Sequence, residues 1–478
     1  MWYLGFITGL LLAFLAVLVI RALLFKPKAQ RPLSEESVEF DADKAVSALQ
    51  QLVQCKTISY NDPAAEDDAE FQKLIDLLPG LYPKVFEVCS FQTLPDRALL
   101  FCWKGKSSQS PAVMMAHYDV VPVQEDMWDK PPFAGIIEDG VLWGRGTLDT
   151  KVTFNGVLFS ANTLIAQGFV PENDIYFAFS GGEEVNGKGA KNIVDWFVEN
   201  HIAPAIVVDE GGAVVENVFP GVKVPCGMVG IAEKGMMNVR YTVRSSGGHA
   251  SAPLPKTPIT TLASACRNVV EHPFKMHINK PAALMFDTLA RHSSFAYKLI
   301  FSNLWCFKPV LDLICKSSGG EMNALVRTTT AFTQAEGSNA RNVIPAQASL
   351  VSNMRLSPLD TVADAKAYLE KIVGDEQVQI EVLESFEPSP VSETDCDAYY
   401  KVADAVAETW RGCVVTPYLM VQCSDSRHYR DLSRNVYRFS AMDLTSEERK
   451  SIHGNNERIR LQTVSKAVEF YIRLMKKC

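Results

Sequence analysis

Short apolar runs alternate with helical stretches along this chain, and several runs end at an acidic or histidine side chain. Residues 112–116 (AVMMA) end at His117, and residues 205–208 (AIVV) end at Asp209. Between them, residues 174–179 end at a Ser-Gly-Gly-Glu-Glu string. Runs this short predict buried strands, and helices between them predict parallel pairing. We therefore expect an α/β fold with a mostly parallel sheet flanked by helices, and a site at the carboxyl ends of the strands.

The composition argues against several kinds of protein. A net charge of −8 provides no basic surface, so we expect no nucleic-acid partner. The 11 cysteines are odd in number and scattered without CxxC spacing. They indicate neither a disulfide framework nor a structural zinc ribbon, and most are expected to be small core residues.

The N-terminus differs from the rest of the chain. No side chain is charged between Trp2 and Ile20, and Arg21, Lys26 and Lys28 follow. About 20 apolar residues can span a bilayer, so we predict a single-pass N-terminal anchor and a membrane location. The basic flank favours a cytoplasmic domain. The side of the membrane stays open, and a cleaved signal peptide with secretion is the alternative.

Three motifs carry residue types that suit a metal site. His117-Tyr-Asp119 would put an imidazole and a carboxylate on one side of an extended segment, where the carboxylate can fix the ring tautomer. Asp149 lies in a glycine-containing turn before a helix, where a helix N-cap is the alternative role. Glu183 and Glu184 follow two glycines, and like charges at a strand end repel unless a cation neutralises them.

Two more residues complete the set. Asp209 repeats the pattern of an acid after a buried strand, and His453 lies in a polar loop before the last helix. Together these imidazoles and carboxylates suit two Zn²⁺ ions per subunit, with Co²⁺ or Mn²⁺ as alternatives. One glutamate can bind metal while its neighbour takes a proton from a metal-activated water.

In this order the motifs resemble the dizinc aminoacylase/carboxypeptidase family of metallopeptidases, peptidase family M20. The resemblance covers roughly residues 45–475 and is most marked for the branch of Gly-X carboxypeptidases and N-fatty-acyl-amino-acid synthase/hydrolases. The strings that carry it are residues 116–123 (AHYDVVPV), 128–133 (WDKPPF), 142–149 (LWGRGTLD), 324–331 (ALVRTTTA) and 453–458 (HGNNER).

The resemblance implies a metal-binding role for five residues. Asp149 would bridge the two ions. His117 and Asp209 would complete one metal site, and Glu184 and His453 would complete the other.

It also implies the catalytic residues. Asp119 would orient the metal-binding histidine beside it, and Glu183 would be the general base and proton shuttle. His249, in a Gly-Gly-His-Ala-Ser string, resembles the histidine that reaches the active site of a partner subunit and polarises the scissile carbonyl.

Substrate recognition would rest on three further residues. Asn342 and Arg355 resemble the family's substrate pair, and a guanidinium can bind both oxygens of a free carboxylate. Arg427 lies in a Ser-Asp-Ser-Arg string that resembles a loop near the same carboxylate. Cys423 and Ser424 depart from the family pattern there, which affects the predicted shape of the pocket.

The implied function is a zinc-dependent amidohydrolase or carboxypeptidase. It would cleave the amide bond of N-acyl amino acids or of short peptides with a free C-terminal carboxylate. A dizinc aminopeptidase and a non-catalytic binding module with the same fold are the alternatives. The expected partners are the substrate, a second copy of the chain bound through an inserted domain, and the membrane.

The predicted domain organisation follows the change in pattern after about residue 232, where an α+β lid or dimerisation domain is inserted. An apolar stretch, residues 281–321, is interpreted as lid core or dimer contact, or else as a channel or membrane-facing rim for an acyl chain. The predicted segments are an anchor (1–25), a tether (26–40), the catalytic domain (41–232 and 386–478) and the inserted domain (233–385).

Overall fold

The structure is a computed structural model that describes residues 2–29, 31–219 and 221–478. Met1 and Gln30, within the predicted anchor and tether, and Pro220 lie outside the described residues. The helices are α1 (Trp2–Leu24), α2 (Ala42–Val53), α3 (Asp68–Leu81), α4 (Pro83–Val88), α5 (Lys151–Ala166), α6 (Gly189–Glu199), α7 (Pro258–Glu271), α8 (Lys280–Ala290), α9 (Phe295–Phe301), α10 (Leu304–Ser318), α11 (Gly320–Val326), α12 (Val362–Val373), α13 (Asp397–Thr409), α14 (Ser446–Ser451) and α15 (Leu461–Lys477). The strands are β1 (Ser90–Leu94), β2 (Ala98–Trp103), β3 (Ser107–His117), β4 (Ile136–Glu138), β5 (Val141–Trp143), β6 (Asn173–Ser180), β7 (Ile206–Val215), β8 (Cys226–Glu233), β9 (Gly235–Arg244), β10 (Gly248–His249), β11 (Thr329–Glu336), β12 (Val343–Ile344), β13 (Gln347–Leu356), β14 (Gln379–Phe386), β15 (Val414–Met420), β16 (Val436–Leu444) and β17 (Arg458–Arg460).

An eight-stranded sheet organises the larger domain, in the order β1-β2-β6-β3-β7-β16-β8-β15. Its centre is parallel: β3 pairs with β6 and with β7, and β7 pairs with β16. Helices α5 and α15 pack into the core on one face, and α6 packs into the core on the other. This confirms the predicted α/β fold with helices on both faces of the sheet.

A smaller domain follows β8. Its antiparallel sheet has the order β11-β13-β9-β14, and α7 and α12 cover one face of it. Apolar residues alternate along β9 as expected for a sheet that buries one face. The separate core of this sheet supports the prediction of an inserted α+β domain.

The apolar stretch predicted within the inserted domain packs elsewhere. Helix α8 lies against β15, the edge strand of the large sheet, and its buried side chains belong to the larger core. Phe286 packs against Phe219 and Phe301 there. Helix α11 ends this stretch, and β11 of the smaller sheet begins at Thr329.

Helix α1 stands largely apart from both domains. It has 23 residues with a mean hydropathy of 2.6, which by length and composition is enough to cross a membrane. The segment after it, the predicted tether, contacts the catalytic domain. Arg31 pairs with Asp404 at 3.3 Å, and Glu36 pairs with Lys476 at 2.6 Å.

Candidate active site

One end of the site is built around His117, the last residue of β3. Its Nε2 atom lies 3.0 Å from Oδ1 of Asp149 and 3.4 Å from Oε1 of Glu210. Its Nδ1 atom lies 3.0 Å from the backbone oxygen of Asp119 and can donate a hydrogen bond to it. That bond leaves Nε2 with a lone pair directed at the carboxylates, as a metal-binding histidine requires.

The other end of the site is built around His453, in the loop before β17. Its Nε2 atom lies 3.1 Å from Oδ2 of Asp149 and 3.0 Å from Oε2 of Glu184. The two oxygens of Asp149 therefore face one histidine each. A carboxylate placed in this way can bridge two cations.

Asp209, a predicted metal ligand, accepts hydrogen bonds from backbone N–H groups in this structure. One of its oxygens accepts a hydrogen bond from the backbone N–H of Glu210 at 2.9 Å, and the other accepts one from Ser426 at 2.8 Å. Neighbouring residues of a strand point to opposite faces, so only one of these acids can reach His117. Glu210 does so, at a bulge where β7 loses register with β16.

Asp119 organises the two predicted glutamates. Its carboxylate accepts hydrogen bonds from the backbone N–H groups of Glu183 at 3.1 Å and Glu184 at 3.2 Å, and from the Ser59 hydroxyl at 2.6 Å. Its Oδ1 atom also lies 3.4 Å from Nδ1 of His117. One buried carboxylate thus positions a histidine and the turn that carries both glutamates.

Glu457 is a further site residue. In the sequence it stood out only as a member of the HGNNER string (residues 453–458), with no role of its own. It is fully buried, and its carboxylate accepts hydrogen bonds from the N–H groups of Gly146 at 3.1 Å and Leu148 at 2.7 Å. Arg145 pairs with it at 2.7 Å. These bonds shape the loop that delivers Asp149.

Several carboxyl groups of the site are buried close together, an arrangement that bound cations would stabilise. Burial, with repulsion from Asp149, raises the pKa of Glu184 to about 7. Burial likewise raises the pKa of Glu210 to about 7 and holds the pKa of Glu183 well above its ordinary value. Hydrogen bonds with Asp149 and Glu184 raise the pKa of His453 to about 11.

The donor atoms fit metal ions. Among the described residues, two groups of three have ligand atoms within 4.8 Å of one another: His117 with Asp149 and Glu184, and His117 with Glu183 and Glu210. The Oε1 atom of Glu184 is buried and has no hydrogen-bond partner within the part of the chain that the structure describes. Imidazole nitrogens and carboxylate oxygens at this spacing match the ligands that zinc and related ions take.

The predicted substrate residues fall into two groups. Arg427 lies beside the site, 4.0 Å from Oε1 of Glu183, and Arg355 donates a hydrogen bond to Sγ of Cys423 at 2.8 Å. His249 instead lies on the small β10–β12 ribbon of the inserted domain, and Asn342 comes directly before β12; both are exposed. The described residues that line the metal cleft do not include either of them.

A cleft of about 670 Å³ opens over the site. The cleft is lined by the acidic residues and His453, by Glu321, Arg449 and Lys450, and by a group of apolar side chains. The apolar group comprises Val215, Val218, Met228, Met420, Met442, Leu444 and Ile452. A second cavity of about 260 Å³ shares Val218, Met228, Glu321 and Tyr418 with the cleft and continues to Met285, Met322 and Leu325.

Comparison with known proteins agrees with this geometry. The sequence profile of peptidase family M20/M25/M40 matches residues 113–477. The chain belongs to peptidase family M20. It is therefore a hydrolase of a metal-dependent peptidase family, as the resemblance predicted.

Curated relatives extend the similarity over almost the whole chain. A probable carboxypeptidase S-like 2 of Dictyostelium discoideum is 34% identical over 98% of this chain and 93% of its own length. The N-fatty-acyl-amino acid synthase/hydrolase PM20D1 of Xenopus tropicalis is also 34% identical, over 98% of this chain and 94% of its own length.

A solved structure shares the fold. The M20 family metallo-carboxypeptidase Sso-CP2 of Sulfolobus solfataricus superposes with a TM-score of 0.66. The alignment covers 90% of this chain and 98% of that chain, at 17% sequence identity. At this identity the similarity bears on the architecture alone.

Proposed function

We propose that this protein is a dizinc amidohydrolase that cleaves N-acyl amino acids, or peptides with an apolar residue before the scissile bond, and requires a free C-terminal carboxylate. The observation that carries the proposal is the cleft, which is lined both by a cluster of metal ligands and by seven apolar side chains. An apolar acyl group would bury itself against those side chains and in the second cavity. The Xenopus relative, named for N-fatty-acyl-amino acids, supports the same substrate class.

The metal ligands that we propose are Asp149 between the ions, His117 and Glu210 on one side, and Glu184 and His453 on the other. This set keeps four of the five predicted ligands and replaces Asp209 with Glu210. When bound, two zinc ions would neutralise the carboxylates, polarise the substrate carbonyl and lower the pKa of water.

Glu183 would move the proton. Burial raises the pKa of its carboxyl. Asp119 holds its backbone N–H, and Arg427 lies 4.0 Å from its Oε1 atom. A carboxylate held in this way can take a proton from the attacking water and give it to the leaving amine.

The substrate carboxylate would be bound by arginine. Arg427 lies at the site, and Arg355 contacts Cys423, which lines the cleft. We propose that Asn342 and His249 join the site of a second subunit, because His249 is exposed on the β10–β12 ribbon and Asn342 is exposed directly before β12. The active form would then be a homodimer.

We also propose that α1 is retained as a membrane anchor. Its C-terminal half packs against the protein, with Leu18 and Ala22 buried and Arg21 bonded to the backbone of Ser302. A segment removed as a signal peptide would have no need of such contacts.

The proposal is tested by Glu183→Gln in the full chain. We expect kcat for an N-acyl amino acid to fall by roughly 10²–10⁴-fold while two metal ions stay bound, because only the proton shuttle is lost. Glu199→Gln, at the exposed end of α6, is the matched control and should leave kcat unchanged. Unaltered turnover in Glu183→Gln would overturn the assignment.

A substrate panel separates the alternatives. We expect rates to rise with the length of the acyl group and cleavage to stop when the C-terminal carboxylate is amidated. An aminopeptidase would instead need a free amino group and tolerate the amide. Metal binding without turnover of any substrate in the panel would point to a binding module.

A further inference from the structure

The turn between α9 and α10 holds the C-terminal half of α1. The Asn303 side-chain amide donates a hydrogen bond to the backbone oxygen of Leu18 at 3.1 Å. The Arg21 guanidinium donates to the backbone oxygen of Ser302 at 3.1 Å and 2.8 Å. These polar contacts are specific, and they tie the position of the turn to the position of α1.

An aromatic contact lies further along the same interface. The rings of Phe14 and Trp305 meet edge to face, with their centroids 5.8 Å apart. Phe14 precedes Arg21 by seven residues, which is about 10 Å along a helix that rises about 1.5 Å per residue. If Arg21 lies at the membrane interface, Phe14 and the ring against it lie about 10 Å inside the hydrocarbon.

Helix α10 continues from this turn with an exposed apolar face. The side chain of Trp305 is 61% exposed and that of Leu313 is 68% exposed. Val310 and Ile314 extend the face, with exposures of 48% and 51%. Val310, Leu313 and Ile314 recur at three- and four-residue spacing, so they lie on one side of the helix. Trp305 lies in the first turn of the helix, beside Phe14 of α1. Leu311 and Cys315 face the other way, into the protein core.

We propose that the α9–α10 turn and the outer face of α10 insert into the lipid bilayer beside α1. The proposal rests on the anchor proposed above and goes beyond it, because it gives the catalytic domain a second membrane contact. A contiguous face of this kind is costly in water and is typical of helices that lie in the membrane interface. Continuity with α1 through Phe14 identifies the occupant as lipid.

Two further contacts hold the domain close to the membrane. Arg291, after α8, lies over the ring of Phe25 at 4.2 Å, and Lys28 pairs with Asp287 at 2.9 Å. The chain leaving α1 is therefore attached to the same insertion. Ser318 at the end of α10 also lines the second cavity, so the cavity reaches the end of the helix that we place in the lipid.

Tryptophan quenching by brominated lipid tests the proposal on the full chain. The protein is reconstituted in phosphatidylcholine vesicles with or without bromine on the acyl chains, and bromine quenches only rings in contact with lipid. Three variants are compared: Trp2→Phe reports on α1, Trp305→Phe on the α9–α10 turn, and Trp196→Phe on α6 as the control. Each variant should keep wild-type hydrolysis, which shows that it is folded.

We expect Trp2→Phe and Trp305→Phe each to remove part of the bromine quenching, and Trp196→Phe to remove none. If only Trp2→Phe reduces the bromine quenching, the inference is overturned and the anchor remains. Trp305 would then be covered by water or by a second copy of the chain. If neither variant reduces the bromine quenching, both the anchor and the inserted turn are overturned.

Discussion

At the scale of single residues, the site depends on which of two adjacent acids faces the metal. Both carboxylate oxygens of Asp209 accept hydrogen bonds from backbone N–H groups. One of these N–H groups belongs to Ser426, in the loop that carries Arg427. Glu210 has an oxygen 3.4 Å from His117 Nε2 instead. We interpret Asp209 as a positioning residue and Glu210 as a ligand.

The two acids make a matched pair for experiment. In Glu210→Gln we expect the metal content after dialysis to fall from about two ions per chain to about one, because a carboxylate ligand is lost. In Asp209→Asn we expect two ions to stay bound with about 10–100-fold weaker affinity, the usual effect of losing an outer partner. Elemental analysis measures both, and the reverse result would return the ligand role to Asp209.

At the scale of elements, the loop between β5 and α5 is held by a residue far along the chain. Glu457 binds the N–H groups of that loop and pairs with Arg145, and both side chains are buried. Burial raises the pKa of the Glu457 carboxyl, while Arg145 and the backbone donors lower it. Burying this charge pair costs desolvation free energy, and removing one partner costs more because the other charge is then buried without a counter-charge.

The effect of breaking it can be measured. Glu457→Gln leaves a buried guanidinium without its counter-charge, so we expect the free energy of unfolding to fall by roughly 3–5 kcal/mol. Chemical denaturation measures this. Glu447→Gln, which removes an exposed partner of Arg458, should change stability by less than about 0.5 kcal/mol. Adding Arg145→Met to Glu457→Gln should recover part of the loss, and no recovery would mean that the charge pair is not the cause.

Some features of these elements could be predicted from the sequence and others could not. Buried runs ending at His117 and at Glu183 predicted β3 and β6 because hydrophobic pattern and strand ends are local properties. The approach of Glu210 to His117 depends on the bulge in β7, which in turn depends on pairing with β16. The docking of α8 against β15 was beyond prediction for a similar reason, since an apolar helix pattern does not say which sheet it covers.

At the scale of the whole molecule, the proposed machinery is divided between two domains. The metal ligands and Glu183 belong to the larger domain, and His249 lies exposed on the smaller one. Its ring nitrogen is bonded to the Ser251 hydroxyl at 2.7 Å, which fixes the ring without using its other nitrogen. If His249 acts in catalysis from this position, it must serve the cleft of a partner subunit.

Subunit mixing tests this arrangement directly. His249→Ala and Glu183→Gln should each abolish most activity, because each variant dimer lacks one component in both of its sites. Co-expressed with different tags, half of the dimers would be mixed, and each mixed dimer would hold one site with both wild-type residues. We therefore expect about a quarter of wild-type kcat to return in an equal mixture, and half of it in mixed dimers purified by both tags. If His249 instead serves its own subunit, each mixed dimer combines one subunit lacking His249 with one lacking Glu183, and no activity returns.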